Sequence, residues 1–137
     1  MIGYNCIMVY SSDGERLLMC KRVKEPYLGL YNLVGGHIDP GECGEDAAYR
    51  ELFEETGITD KQITLRHLMD FTYYNQDCYV EVWCGRLKTD TEVYGDENPL
   101  EWLKLEGDFF DMSRFAGEGN IGHMIEQVRQ FGEGFLD

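Results

Sequence analysis

Two short apolar runs open the chain, Tyr4 to Tyr10 and Arg16 to Arg22, and the turn residues Ser12-Asp13-Gly14 between them predict a β-hairpin. The period of the pattern then changes. From Gly44 to Thr56 the spacing predicts a helix with Ala47, Ala48, Leu52 and Phe53 turned inward and Gly57 as its stop. Ile63 to Tyr73 and Cys78 to Leu87 predict a second hairpin across Asn75-Gln76-Asp77, with Cys78, Val80, Val82 and Cys84 on one face and Tyr79, Glu81 and Trp83 on the other. Lys88 to Asn98 is polar and reads as a loop, and Leu100 to Leu105 as a short strand. Ile121 to Phe131 reads as a closing helix with Ile121, Met124, Ile125 and Val128 inward. Strands and helices alternate without a repeat, a low-complexity tract or a linker. The pattern predicts an α/β fold, an α/β/α sandwich around a mixed sheet, with residues 1–137 forming one domain.

The Gly44 to Thr56 helix carries an unusual charge pattern. At about 100° per residue, Glu51, Glu54 and Glu55 share an arc of roughly 100°, with small Ala47 among them. Ala48, Tyr49, Leu52 and Phe53 cover the other side. Like charges at i,i+3 and i,i+4 cost about 0.2–0.5 kcal/mol per pair, and acids in the last turn oppose the helix dipole. Arg50 offsets part of this through Glu54 at i,i+4. A divalent cation would turn the repulsion into attraction, and Mg²⁺ favours a few carboxylates completed by waters and phosphate oxygens. Ahead of the helix, Gly35 and Gly36 lack Cβ atoms and let a metal or a phosphate approach the backbone.

Spacing sharpens this into a family. Gly36, five residues, Glu42, seven residues, Arg50-Glu51-Leu52, one residue, Glu54-Glu55, one residue and Gly57-Ile58 reproduce a complete Nudix box. A chance match is on the order of one in a hundred million per start. The chain resembles the Nudix hydrolases, in particular their MutT-like branch, which are Mg²⁺-dependent enzymes that cleave a pyrophosphate bond in nucleoside diphosphate-linked compounds. The resemblance implies Mg²⁺, with Mn²⁺ as a substitute, held by Glu51, Glu54, Glu55, the Gly35 carbonyl and Asp96 or Glu97 of the acidic segment Gly95 to Trp102. It further implies that Arg22 faces the nucleotide and that Asn120 reads a purine edge. An asparagine is also a favoured helix N-cap, which is the structural alternative for Asn120. His37 reads either as a solvent-facing loop residue or as a phosphate contact. Glu51 or the acidic loop would act as general base, Arg50 would orient the glutamates, and Glu42 would brace the loop or hold a metal-bound water.

Composition narrows the partners. A net charge of −14, from 26 acidic and 12 basic residues, argues against a nucleic-acid polymer and leaves a small, metal-screened polyphosphate. Five cysteines without a CxxC pair argue against a disulfide framework or a zinc site, and Cys43 reads as a small filler residue. With 43% hydrophobic residues and no signal-peptide or membrane-span pattern, the expectation is a cytoplasmic protein, monomeric or homodimeric. The leading functional expectation is hydrolysis of a purine nucleoside triphosphate, oxidised forms included, to monophosphate and pyrophosphate. A hydrolase of a nucleoside diphosphate sugar of the ADP-ribose type is one alternative, and a noncatalytic nucleotide sensor is another.

Overall fold

A computed structural model describes residues 1–132 and 134–137. Among these residues the elements follow the order β1 (Ile2–Tyr10), β2 (Arg16–Lys21), β3 (Tyr31–Asn32), β4 (His37–Ile38), α1 (Gly44–Thr56), β5 (Arg66–Tyr73), β6 (Cys78–Arg86), β7 (Leu100–Lys104) and α2 (Asn120–Phe131). The first hairpin turns where the sequence places it, with Asp13 accepting from the Ser11 hydroxyl at 2.6 Å and the Glu15 amide at 3.0 Å. The second turns through a short 3₁₀ segment, Tyr74–Gln76.

The strands form one mixed sheet with β1 at its centre. One edge of β1 runs parallel to β6 along its whole length, from Ile2 opposite Cys78 to Tyr10 opposite Arg86. Its other edge is shared. Tyr10 pairs with Leu17 of β2, Ile7 bridges to Val34, and Gly3 and Tyr4 pair with Ile38 and His37 of β4. β1 and β2 therefore diverge from their common turn, and the segment from residue 31 to residue 38 fills the gap between them. This split seats Gly35 and Gly36 against the middle of β1, inside the sheet.

Alternation along the strands gives each face its own core. Ile7, Val9, Leu18 and Trp83 pack with Ala48 and Leu52 under α1, while Met8, Leu17, Met19, Val82 and Cys84 pack with Ile121, Met124, Ile125 and Val128 under α2. Burying each large aliphatic side chain contributes about 1.5–3 kcal/mol, so both helices are anchored mainly by these contacts. No described helix is long and apolar enough to cross a membrane.

Several expectations need correction. Phe53 is 57% exposed, whereas Ala47 is fully buried. The buried arc of α1 contains Ala47, Ala48, Glu51, Leu52 and Thr56, so it is rotated toward the carboxylates by comparison with the apolar stripe read from sequence. Packing of α1 over β1 and β4 sets that rotation, and Glu51 goes inward with it. Residues His37 and Ile38 form strand β4, not loop. Ile63 and Leu65 are buried but precede β5, which begins at Arg66. Cys43 is the N-cap of α1, its Sγ accepting from the Asp46 amide at 3.5 Å, and not a filler residue.

Candidate active site

Gly35 and Gly36 are glycines for steric reasons the structure makes explicit. Gly35 has φ +147°, and a Cβ there would collide with the Asn5 backbone oxygen. A Cβ on Gly36 would run into the Glu51 carboxylate. Across the β1 edge, the Asn5 amide donates to the Gly36 carbonyl at 2.8 Å, and the Gly36 amide donates to Asn5 Oδ1 at 2.9 Å. The box glycine thus lies between Asn5 and a largely buried glutamate of α1.

Arg50 organises the acids around it. Its Nε and Nη2 donate to the two oxygens of Glu42, each at 2.8 Å. Nη1 reaches Glu51 at 3.0 Å and Glu54 at 3.2 Å, and Nη2 donates to the His37 carbonyl at 2.9 Å. Glu42 also accepts from the Asp39 amide at 3.1 Å, which closes the turn before α1. These bonds hold the Glu42 carboxyl down at about 2 and push the Arg50 guanidinium further up, so the ion pair persists across the working pH range.

Glu55 is electrostatically the opposite case. Burial first, and then the surrounding Glu51, Asp96, Glu97 and Glu54, raise its carboxyl to about 7. Asp96 and Glu97 of the exposed loop before β7 therefore lie within electrostatic reach of the last turn of α1. Glu55 lines a cleft of about 290 Å³ together with Asn5, Arg22, Gly35, Gly36 and Asn98.

These acids do not meet at one point. Among the described residues no three of the chain's histidine, cysteine, aspartate and glutamate side chains converge closely enough to hold an ion by themselves. Mutual repulsion spreads them, and Arg50 draws Glu51 and Glu54 to itself. The donor set still fits Mg²⁺. It is all oxygen, it surrounds a site of surplus negative charge, and Mg²⁺ needs only one or two carboxylates besides water and phosphate.

Next to this cleft lies a second cavity of about 450 Å³ lined by Tyr27, Phe71, Tyr73, Glu118, Asn120 and Met124. Tyr4, Cys6, Tyr27, Asn32 and Val80 border both spaces, so the two adjoin. Gly119 is the N-cap of α2 and no side chain caps that helix, which removes the capping role considered for Asn120. Instead Asn120 Nδ2 donates to the Tyr73 hydroxyl at 2.7 Å, and Tyr27 donates its hydroxyl proton to Glu118 at 2.8 Å. That bond uses one of the two Nδ2 hydrogens, which leaves Asn120 with its Oδ1 acceptor and a second N–H donor. Tyr27 and Glu118 both adopt positive φ, 68° and 53°, an uncommon conformation for residues with side chains.

The structure thus brings Gly35, Gly36, Arg22 and Glu55 into one cleft, links Glu42, Arg50, Glu51 and Glu54 beside it, and sets Asn120 in the adjoining cavity. His37 is not among the residues lining either space. Its ring faces Tyr4, with centroids 4.7 Å apart, and its carbonyl serves Arg50. Sequence reasoning missed Asn5, Tyr27, Tyr73 and Glu118. Only Asn5 leaves a trace in the sequence, as one amide within an otherwise apolar strand.

A NUDIX domain model matches residues 2–111. The 8-oxo-dGTP diphosphatase of Escherichia coli (strain K12) is 35% identical over 102 residues, covering 72% of this chain and 78% of that protein. A Bacillus subtilis (strain 168) relative is 39% identical over 57 residues, 42% of this chain, and there the chain spans only 36% of the relative's length. Among solved structures, an Ap4A hydrolase from C. elegans superimposes with a TM-score of 0.77 at 24% identity, covering 98% of this chain and 100% of that one, which is a likeness of fold. Because the domain match runs from the start of β1 through the box helix and past β7, the chain belongs to the Nudix family of hydrolases.

Proposed function

We propose that the chain is a Mg²⁺-dependent pyrophosphohydrolase of nucleotide-linked compounds, and that its substrate is a purine nucleoside triphosphate, oxidised forms included, cleaved to monophosphate and pyrophosphate. The observation that carries this reading is that the cleft holding Gly35, Gly36, Arg22 and Glu55 shares five lining residues with the cavity around Asn120. One space offers a place for phosphates beside Arg22 and the glycines. The other offers aromatic walls and polar groups suited to a base.

Glu51, Glu54, Glu55, the Gly35 carbonyl and Asp96 would hold the ion. When bound, Mg²⁺ supplies neutralisation of the diphosphate and acidification of the attacking water. The chain's own groups do the rest. Arg50 fixes the carboxylates of Glu51 and Glu54, and Glu42 in turn fixes Arg50. Gly36 leaves the Glu51 carboxylate room that any side chain would take. Glu51 or Asp96 removes the proton from the attacking water as general base. Arg22 places a positive charge at the phosphate end of the cleft. Asn120 offers its Oδ1 acceptor and a second N–H donor at the base end, and the Glu118 carboxylate adds an acceptor, a set that suits a guanine-type edge with its carbonyl and N–H groups.

The test is a panel of nucleoside triphosphates and ADP-ribose assayed with Mg²⁺ and with EDTA, with the released species identified. Monophosphate plus pyrophosphate from a purine triphosphate, abolished by EDTA, is the expected result. Faster cleavage of ADP-ribose overturns the triphosphate assignment, and the absence of any Mg²⁺-dependent turnover overturns the enzymatic reading.

A further inference from the structure

Asn5 stands in the middle of β1 between residues that build the sheet and its two cores. It is 3% exposed, and its side-chain Nδ2 is buried without a hydrogen-bond partner among the described residues. A buried amide with an unsatisfied donor is a net cost to stability, and a branched apolar residue would suit this strand position better. The side chain's other atom explains its presence.

The antiparallel register between β1 and the 34–38 segment runs through Ile7 opposite Val34, Tyr4 opposite His37 and Gly3 opposite Ile38. Asn5 therefore lies opposite Gly36. Half of the expected backbone exchange is made, since the Asn5 amide donates to the Gly36 carbonyl at 2.8 Å. The return bond is different. The Gly36 amide donates to the Asn5 side-chain Oδ1 at 2.9 Å, so the side chain replaces its own backbone carbonyl in the ladder. Gly35, at φ +147°, supplies the backbone rotation that this exchange of acceptors requires.

The Gly36 N–H and the Gly35 C=O belong to one planar trans peptide group and point in opposite directions. An acceptor that captures the N–H therefore aims the carbonyl the other way. We propose that Asn5 is a positioning residue that aims the Gly35 carbonyl at the divalent ion. This rests on the reading above that the Gly35 carbonyl is one of the ion's ligands. Asn5 does not touch the ion. It acts through the Gly35–Gly36 peptide, and the same cleft is lined by Asn5, Gly35, Gly36 and Glu55.

The test measures Mn²⁺ binding to the full chain by the loss of the free-ion electron paramagnetic resonance signal, without substrate, together with the melting temperature in EDTA. Asn5→Leu keeps the side chain's branched shape and removes both the acceptor and the orphaned donor. Because the lost orphan at Nδ2 is exchanged for an unpaired Gly36 N–H, it is expected to melt close to the parent in EDTA and to bind Mn²⁺ at least tenfold more weakly. Asn5→Asp keeps an acceptor for the Gly36 amide and is expected to retain Mn²⁺ affinity within about threefold. Asn5→Ala, which removes the acceptor without refilling the space, is expected to lose the ion as Asn5→Leu does, so the result does not depend on one variant folding. Undiminished Mn²⁺ affinity in Asn5→Leu or Asn5→Ala overturns the proposal, as does equal loss in Asn5→Asp accompanied by a fall in melting temperature. Glu55→Gln separates the two readings. If it binds Mn²⁺ as the parent does, or the parent binds none, the ion site itself is misplaced and the role of Asn5 falls with it.

Discussion

Arg50 and Glu42 meet through two parallel hydrogen bonds, Nε to Oε2 and Nη2 to Oε1, each 2.8 Å long. The planar guanidinium matches the carboxylate edge to edge, a geometry that lysine cannot reproduce. Because Arg50 also holds Glu51 and Glu54, this pair couples the turn before α1 to the acids on the helix.

Replacing Arg50 by lysine should therefore lower kcat by about ten- to a hundredfold, the usual cost of disturbing groups that orient metal ligands. KM for the nucleotide should change little, because Arg50 lies beside the cleft and holds acids, not substrate. Steady-state kinetics at saturating Mg²⁺ check this. A rise in KM with unchanged kcat would show instead that Arg50 binds substrate directly.

The same pair has an acid limb. Glu42 titrates at about 2 in the folded chain against an ordinary 4.5, so the folded state binds fewer protons than the unfolded one between those values. Its contribution to stability is complete above about pH 4.5 and is lost as pH falls toward 2. Thermal melts from pH 6 to pH 2.5 should show a loss that is smaller in Glu42→Gln than in the parent.

Glu55 predicts the reverse slope in a higher window. Its folded value of about 7 lies above the ordinary 4.5, so between these values the folded state binds more protons than the unfolded. In EDTA the contribution of Glu55 to stability should fall as pH rises from about 4.5 to 7. Glu55→Gln should flatten that slope and melt higher than the parent at pH 7.5. Mg²⁺ should raise the melting temperature more at pH 7.5 than at pH 5, because at the lower pH a proton already neutralises this carboxyl. Differential scanning calorimetry with and without Mg²⁺ checks all three.

Turnover should respond in the opposite sense. Glu54→Gln and Glu55→Gln should each reduce kcat/KM by orders of magnitude while leaving metal-free stability unchanged or higher, since like-charge repulsion is relieved. Full activity in either variant, measured as pyrophosphate release, would remove that glutamate from the ion's ligands.

The cavity around Asn120 gives a discrimination test. Asn120→Ala should cost a guanine-type triphosphate about 1–3 kcal/mol in kcat/KM and a pyrimidine triphosphate much less. Tyr73→Phe leaves Asn120 Nδ2 without its 2.7 Å partner and frees the amide to turn, so it should blur the preference by a smaller factor. Equal losses on purine and pyrimidine substrates would assign Asn120 to the architecture of the cavity alone.

The box was legible because its chemistry depends on residue type at fixed spacing, and the α2 stripe because a single apolar face repeats every three or four residues. Where reading failed, three-dimensional context had overridden local pattern. The exposure of Phe53 and the burial of Glu51 both follow from how α1 rolls on β1 and β4, and helical periodicity carries no information about that rotation when the stripe is broad. Asn120 looked like a cap because asparagine favours that place, yet Gly119 took it through a positive φ. The contact of Tyr27 with Glu118 joins residues far apart in sequence through two unusual backbone conformations, and no local motif announces either of them.

The parallel pairing of β1 with β6 sets an order on biosynthesis. β1, the glycine segment and the whole of α1 are synthesised before the first residue of β6. Until then one full edge of β1 has no partner, and a nascent chain halted before Cys78 would carry every residue of the box while presenting an open strand edge to its neighbours. Such fragments should aggregate, not bind Mn²⁺, and the hydrolytic centre should come into being only when the latter half of the chain closes that edge.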